Sequence, residues 1–221
     1  MISIIIPVYN EEKTILKVLK STMEAFQDIA HEILIINDGS RDATETICQN
    51  ICNTQKNIKF IQLNRNYGKG YALRTGFKEM KGEFMAIQDA DLEYDPRNLR
   101  KLCHQLEEDK VIYGQRDGKT GYLTNRIGNA TLSFLCNILY NSNLCDIYTC
   151  YKIIPRKILE SLDLSATGFE IEAEITAKLL LKKIPIIEIP ISYSPRSRKD
   201  GKHIRTRDGL IGIWTLIKNR F

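Results

Sequence analysis

The sequence predicts a single α/β domain whose mostly parallel sheet is covered by helices on both faces. Three observations predict it. Short isoleucine-rich runs alternate with amphipathic stretches along the first half of the chain, the order of a parallel sheet with crossover helices. The runs are apolar throughout rather than every second residue, as strands buried on both faces require. Each run also stops at a polar segment, and sites in such sheets lie beyond the strand C-termini. At 221 residues the chain is long enough for one such domain with a proper core.

Ile2 to Val8 reads as the first strand, and Glu11 to Phe26 as a helix with Ile15, Val18, Leu19 and Thr22 on one face. His31 to Ile36 is a second strand. Asp42 to Cys52 follows as a helix with Ala43, Thr46, Ile47 and Ile51 inward. Ile58 to Leu63 and Tyr71 to Met80 repeat the pattern before the run FMAIQDAD, Phe84 to Asp91. Val111 to Gly114 is a further short strand. Ile127 to Tyr140 is a largely apolar helical stretch opened by Arg126, and Gly168 to Leu181 is a helix with Ile171, Ile175, Lys178 and Leu179 along one side. Asp208 to Phe221 closes the chain as an amphipathic helix with Leu210, Ile213, Trp214, Ile217 and Phe221 on one face.

The chemistry centres on FMAIQDAD. In an extended strand residues i and i+2 point to the same side, so Asp89 and Asp91 can face one cation, and Glu93 can join them. Oxygen ligands suit Mg²⁺ or Mn²⁺, which keep room for substrate phosphates, so the pair reads as a site for a metal-bound nucleoside diphosphate. The competing reading is a plain turn before Pro96, a position that Asp favours. The other strand ends are polar too: PVYNE from Pro7, NDGS from Asn37 and NRNYGKG from Asn64. Asp38 is placed to accept from a nucleobase or ribose. The Gly68–Lys69–Gly70 turn allows close approach to a ligand, with Lys69 in reach of phosphate.

Composition bounds the remaining classes. Hydrophobic residues at 43% and charged residues at 27% are ordinary for a globular protein. No stretch approaches the ~18 uninterrupted apolar residues of a membrane span. Met1 leads directly into an apolar strand without the basic region of a signal peptide. The six cysteines form no C-x-x-C pair, which argues against zinc and for a reducing cytoplasm. The net charge of +5 matches that of residues 196–207, RSRKDGKHIRTR, where six basic residues face Asp200 alone. Such a cluster suits a phosphorylated or lipid partner. Nucleic acid is not expected, because the interleaved aromatics and signatures of RNA-binding modules are missing.

Taken together, SIIIPVYNEE, EILIINDGSRDAT, NRNYGKGYALRTGF and FMAIQDADLEYDP resemble the family 2 glycosyltransferases of GT-A fold, in their dolichol-phosphate mannose synthase-like branch. The resemblance extends to GFEIEAEITAKLLLKK, IIEIPISYSPR and RKDGKHIRTRDGLIGIWTLIKNRF. It implies a glycosyltransferase domain over residues 1–195, with residues 196–221 adding a basic segment and helix to the same domain. It implies that Pro7, Tyr9, Glu11 and Asp38 hold the nucleoside, and that Asp89, Asp91 and Glu93 lie at the metal and diphosphate. The position of Glu93 is commonly Gln in that branch. Arg116 and Arg126 correspond to arginines that contact donor or acceptor phosphates. Asp146, within CDIYTCYK ahead of an outer strand, and Glu170 and Glu172 at a helix start, fall where the family pattern approaches the acceptor.

The expected reaction moves one sugar from a GDP- or UDP-sugar to a polyprenyl phosphate, with Asp89 and Asp91 on Mg²⁺ or Mn²⁺ and with Arg196 and Arg198 on the acceptor phosphate. A phosphate acceptor needs no protein base. The alternative is a glycan hydroxyl acceptor, which needs one, with Asp146, Glu170 and Glu172 as candidates. A non-catalytic nucleotide-sugar-binding module is the third reading. The basic segment and the aromatic-bearing last helix suit peripheral contact with the cytoplasmic face of a membrane. Packing against the domain or against a second subunit, as in a homo-oligomer, competes with that expectation.

Overall fold

The computed structural model describes residues 1–117, 123–196 and 206–221. Among the described residues there are seven strands and eight α-helices: β1 (Ile2–Val8), α1 (Ile15–Ala25), β2 (His31–Asn37), α2 (Thr44–Cys52), β3 (Ile58–Gln62), α3 (Lys69–Glu79), β4 (Phe84–Ile87), α4 (Pro96–Leu102), β5 (Val111–Arg116), α5 (Leu123–Tyr140), β6 (Lys152–Pro155), α6 (Arg156–Glu160), α7 (Ile171–Leu181), β7 (Ile186–Ile191) and α8 (Thr206–Arg220). They form one seven-stranded sheet of order β3-β2-β1-β4-β6-β5-β7.

The pairings β1 with β2, β1 with β4, β2 with β3 and β5 with β7 are parallel. β6 runs against both of its neighbours, β4 and β5. Six strands therefore end on one edge, and β6 begins there. This reversal brings Lys152, the first residue of β6, to the same edge as the ends of β4 and β5. CDIYTCYK thus precedes a central strand and not the outer strand expected from sequence.

The core follows from the apolar runs. Ile4, Ile5, Ile6 and Ile33 to Ile36 are fully buried, each buried aliphatic side chain contributing about 1.5–3 kcal/mol. α1 buries Ile15, Val18, Leu19 and Thr22 as expected, but starts at Ile15 rather than Glu11. The four residues before it form a turn in which Thr14 Oγ1 donates to Glu11 Oε2 at 2.6 Å. In α2 the inward residues include Thr44 and Cys48, whereas Ala43 and Thr46 are exposed, so the expected face was rotated. Cys48 packs as a small hydrophobe, and all six cysteines are free. Around Pro96 the chain makes α4, with Asp95 capping it by accepting from the Arg97 amide at 2.9 Å.

A second apolar cluster joins α5, α7 and α8 through Leu132, Cys136, Ala173, Ala177 and Leu216. α7 is buried nearly all round, with Ile171 to Ala177 and Leu179 inside, so the side read from sequence through Ile171, Ile175 and Leu179 is only part of its buried surface. No helix among the described residues is long and apolar enough to cross a membrane.

α3 lies close to β1 because position 76 is glycine: a Cβ there would sit 2.6 Å from Ile5 Cγ2. Gly76→Ala should therefore destabilise by about 1–3 kcal/mol through overpacking. Gly128→Ala, in α5 with nothing within 4 Å of its Cβ, should instead stabilise by about 0.5–1 kcal/mol. Thermal melts of the two variants should move in opposite directions, and a fall in both would contradict this packing.

Candidate active site

The common strand edge gathers a network of charges in three dimensions. β4 stops at Ile87, so Asp89 and Asp91 stand in the following turn and not on an extended strand. The same-side argument from strand geometry does not place them. Their partners do. Lys69, the first residue of α3, puts Nζ 2.8 Å from Asp89 Oδ1 and 3.2 Å from Glu172 Oε1. Glu172 Oε2 meets the fully buried Lys152 Nζ at 2.5 Å. Lys152 also donates to the carbonyls of Ile147 and Thr149. A chain of alternating charge, Asp89–Lys69–Glu172–Lys152, thus runs from the edge into the core.

Burial opposes ionisation of Asp89, but the Lys69 ammonium, a hydrogen bond from the Cys150 thiol and the Lys152 charge outweigh it and hold its pKa below the usual carboxylate range. Burial likewise opposes the charge on Lys69, and the carboxylates of Asp89 and Glu172 overcome it, raising its pKa well above the ordinary value. Asp91 is the opposite case. Burial, then the charges of Asp89 and Glu93, push its pKa up to about 7, against the opposing pull of Arg196 and the Glu93 amide.

Arg196 reaches this site from the segment after β7. Its Nη2 lies 2.8 Å from Glu11 Oε1 and 3.2 Å from Asp91 Oδ2, and its Nη1 donates to Glu11 Oε2 at 3.1 Å. Glu93, expected at the metal, faces this strap: its carboxylate accepts from the Tyr193 hydroxyl at 2.5 Å and the Arg196 amide at 2.8 Å. The Ser194 amide donates to the Glu93 carbonyl at 2.9 Å. Arg196, expected on the acceptor phosphate, therefore sits on Glu11 and Asp91, two carboxylates expected at the donor. Arg198 lies outside the described residues.

Just after β2, Asp38 is 3% exposed and accepts the amides of Tyr67 and Gly68, both at 2.8 Å. Burial raises its pKa, with the two amides pulling the other way. It anchors the turn before α3, and each oxygen keeps a second lone pair for a ligand. Gly68 has φ +101°, and a Cβ there would lie 2.5 Å from the Thr167 carbonyl oxygen, so only glycine fits. Pro7 and Tyr9 are half-buried at the end of β1, beside the loop in which the Asn10 amide donates to Ser40 Oγ and the Glu11 amide to Thr44 Oγ1.

On the other side, Arg116 at the end of β5 makes a two-pronged pair with Asp146, Nε to Oδ2 and Nη2 to Oδ1, both 2.7 Å. Asn129 of α5 donates to Asp146 Oδ1 at 2.8 Å, and the Arg116 amide adds a fourth N–H. Burial would raise the Asp146 pKa, but these partners hold it low. The Arg116 guanidinium also lies over the Tyr193 ring, 5.1 Å from its centroid. Glu170 Oε1 accepts the amides of Thr167 and Gly168. Arg126 is exposed near the start of α5.

Of the residues picked from sequence, the structure brings together Glu11, Lys69, Asp89, Asp91, Glu93, Glu172 and Arg196. It sets Arg116 and Asp146 as a separate pair. Sequence reasoning missed Lys152, Asn129 and Tyr193. A lysine opening the wholly apolar run KIIP was a usable signal for the first, since lysine is almost never fully buried without a partner. Among the described residues no three His, Cys, Asp or Glu side chains are arranged as a ready-made metal cluster. A divalent ion shared with a diphosphate needs only one or two protein carboxylates. Asp91, already facing the Arg196 cation, and Asp89 beside it have the hard carboxylate oxygens that would suit Mg²⁺ or Mn²⁺.

The Asp91 shift has a sign that can be tested. A carboxyl whose folded pKa lies above its unfolded value contributes stability at low pH and loses it as pH rises through the folded pKa, here from about 3.8 to about 7. Without divalent metal, Asp91→Asn should melt above the wild type at pH 8 by roughly 2–4 °C per kcal/mol relieved. The gap should shrink as pH falls toward 4. A pH-independent difference would contradict the assignment.

Comparison with known proteins bears on this edge. The model of glycosyl transferase family 2 matches residues 3–163. The dolichol-phosphate mannosyltransferase of Pyrococcus furiosus is 26% identical over 215 residues, 91% of this chain and 58% of that protein. The undecaprenyl-phosphate 4-deoxy-4-formamido-L-arabinose transferase of Photorhabdus laumondii is 26% identical over 206 residues, 91% of this chain and 62% of that protein. The chain spans about half to three fifths of the length of such curated relatives. Among solved structures, glucosyl-3-phosphoglycerate synthase of Mycobacterium tuberculosis, crystallised with Mn²⁺, UDP and phosphoglyceric acid, superposes with TM-score 0.78 at 18% identity, covering 100% of this chain and 78% of that one. At that identity the likeness shows the shared fold, GT-A. With more than half of its length matched by the family model, the chain belongs to glycosyl transferase family 2.

Proposed function

We propose that the protein transfers one sugar from a nucleoside diphosphate sugar to a polyprenyl phosphate at the cytoplasmic face of a membrane, with inversion at the anomeric carbon. The observation that carries this reading is the state of the three carboxylates that a hydroxyl acceptor would need as bases. Asp146 is saturated by Arg116 and Asn129, Glu172 is buried between Lys69 and Lys152, and Glu170 is drawn onto the amides that open α7. A general base must be able to take a proton from its substrate, and two of the three are committed to buried cations. A phosphate oxygen, already anionic at neutral pH, has no such need. The names of the relatives, acting on dolichol phosphate and undecaprenyl phosphate, point the same way.

In this reading Asp38 and Glu11 receive the nucleoside, and Lys69, fixed beside Asp89, stands next to the diphosphate. Asp89 and Asp91 would hold Mg²⁺ or Mn²⁺, which as a Lewis acid would neutralise charge on the departing diphosphate. Arg116, Arg126, Arg196 and Arg198 supply guanidinium groups for the acceptor phosphate, whose fork geometry matches phosphate oxygens. An acceptor oxygen forms its bond to the anomeric carbon as the bond to the nucleoside diphosphate breaks, and no proton changes hands. For Arg196 to reach that phosphate it must leave Glu11 and Asp91, so donor and acceptor loading are linked through one side chain.

Transfer from labelled GDP- and UDP-sugars to undecaprenyl or dolichyl phosphate, followed by organic extraction, tests the proposal. Label should enter the organic phase and vanish with EDTA. Asp91→Ala should lower it by roughly a hundredfold or more, while Glu170→Gln should leave it within a few-fold. Label confined to a water-soluble glycan, with Glu170→Gln inactive, would replace the lipid phosphate by a hydroxyl acceptor.

A further inference from the structure

The charge chain that runs inward from the sheet edge contains one oxygen that is poorly answered. Glu172 is 2% exposed, and its two carboxylate oxygens are used unequally. Oε2 lies 2.5 Å from Lys152 Nζ. Oε1 is buried and, among the described residues, receives no aligned hydrogen bond. Lys69 Nζ stands 3.2 Å from it, and the same ammonium lies 2.8 Å from Asp89 Oδ1. A buried acceptor without a full partner is destabilising, so a spare one beside the site calls for a use.

Its surroundings hold Glu172 still. Lys152 has three N–H donors, and they go to the carbonyls of Ile147 and Thr149 and to Glu172. Its ammonium also lies 4.7 Å from the centre of the Tyr113 ring. The Glu172 carbonyl accepts from Thr176 Oγ1 at 2.9 Å, and that hydroxyl meets Tyr113 Oη at 2.9 Å. Lys152 and Glu172 are thus fixed in the core. Lys69 is the member of the chain with a partly exposed head on a flexible stem, and it has two carboxylates in reach.

We infer that Glu172 is a second seat for the Lys69 ammonium, kept rigid by Lys152, and that Lys69 moves from Asp89 onto Glu172 Oε1 when a divalent cation takes Asp89. Two cations held close to one carboxylate repel each other. Without Glu172 the lysine would be driven off Asp89 toward no other carboxylate, and the ion would bind against that penalty. With Glu172 the ammonium shifts between two oxygens that both lie within 3.2 Å of it, and it stays at the edge. Lys152 and Glu172 are then positioning residues that work through Lys69. This gives a use to a buried ion pair that apolar residues of similar volume could replace without loss of stability. The inference deepens the reading of Asp89 as a metal ligand and rests on it.

Binding of Mn²⁺ alone to the full chain, followed by the electron paramagnetic resonance of the free ion, tests the second seat, with thermal melts in metal-free buffer as the control for folding. Lys152→Met with Glu172→Gln removes one positive and one negative charge together and should melt close to the wild type, yet it should weaken Mn²⁺ binding about tenfold. Lys69→Met removes the group that has to move, and should bind Mn²⁺ more tightly than the wild type. Adding the Lys152→Met and Glu172→Gln pair to Lys69→Met should then change the affinity by no more than about twofold. Unchanged Mn²⁺ affinity in the pair variant would overturn the inference and leave the pair a support of the core. A tenfold loss that persists in the Lys69→Met background would overturn it too, because the pair would then act on the edge without the lysine. Both outcomes leave the metal reading intact. Absence of Mn²⁺ uptake by the wild type at millimolar concentration would instead remove Asp89 as a ligand, and the second seat with it.

Discussion

Crowding of like charge governs this protein. Glu11, Asp89, Asp91 and Glu93 meet at one sheet edge, and carboxylates this close in a partly buried place cannot all ionise without cations among them. The protein supplies those cations from distant parts of the chain: Lys69 from the start of α3 and Arg196 from the strap after β7. Lys152 supports the first of these through Glu172, and it is at hand because β6 alone runs backwards through the sheet. What remains unbalanced is Asp91, whose raised pKa measures how strongly the edge still favours positive charge. In the proposed reading a divalent ion held by Asp89 and Asp91 would answer that demand with two positive charges where one guanidinium brings one.

Much of the framework was legible because it is local. β1 runs from Ile2 to Val8 in the sequence reading and in the structure, and the inward residues of α1 are those that the helical period selects. The polar edge was legible as well, since polar strand ends in a parallel sheet converge regardless of detail. Boundaries failed where side chains redirect the backbone, as in the Glu11–Thr14 turn and after Ile87. The central place of β6 was not legible, because strand order depends on pairings between residues far apart in sequence. For the same reason Glu172 was taken for a residue facing the acceptor. A carboxylate in a first helical turn looks alike whether it faces solvent, a substrate or two buried lysines, and only the fold brings Lys69 and Lys152 to it.

The acceptor side illustrates how pairing alters chemical meaning. Asp146, Glu170 and Glu172 read alone as candidate bases, but Arg116, Asn129 and the two lysines turn the first and last into fixed counter-charges. In the proposed reading their work is to orient cations, and the basic character of the chain would be directed at phosphate.

The most direct test of this charge balance is calorimetric titration of UDP and GDP into the protein with and without Mn²⁺. Binding of one nucleotide that appears with Mn²⁺ and weakens at least about tenfold without it, as expected when Asp89 and Asp91 accept a shared cation, would agree with the assignment. Equal affinity in both conditions would mean that Lys69 and Arg196 suffice for the diphosphate, and that the carboxylate edge serves the fold rather than a metal.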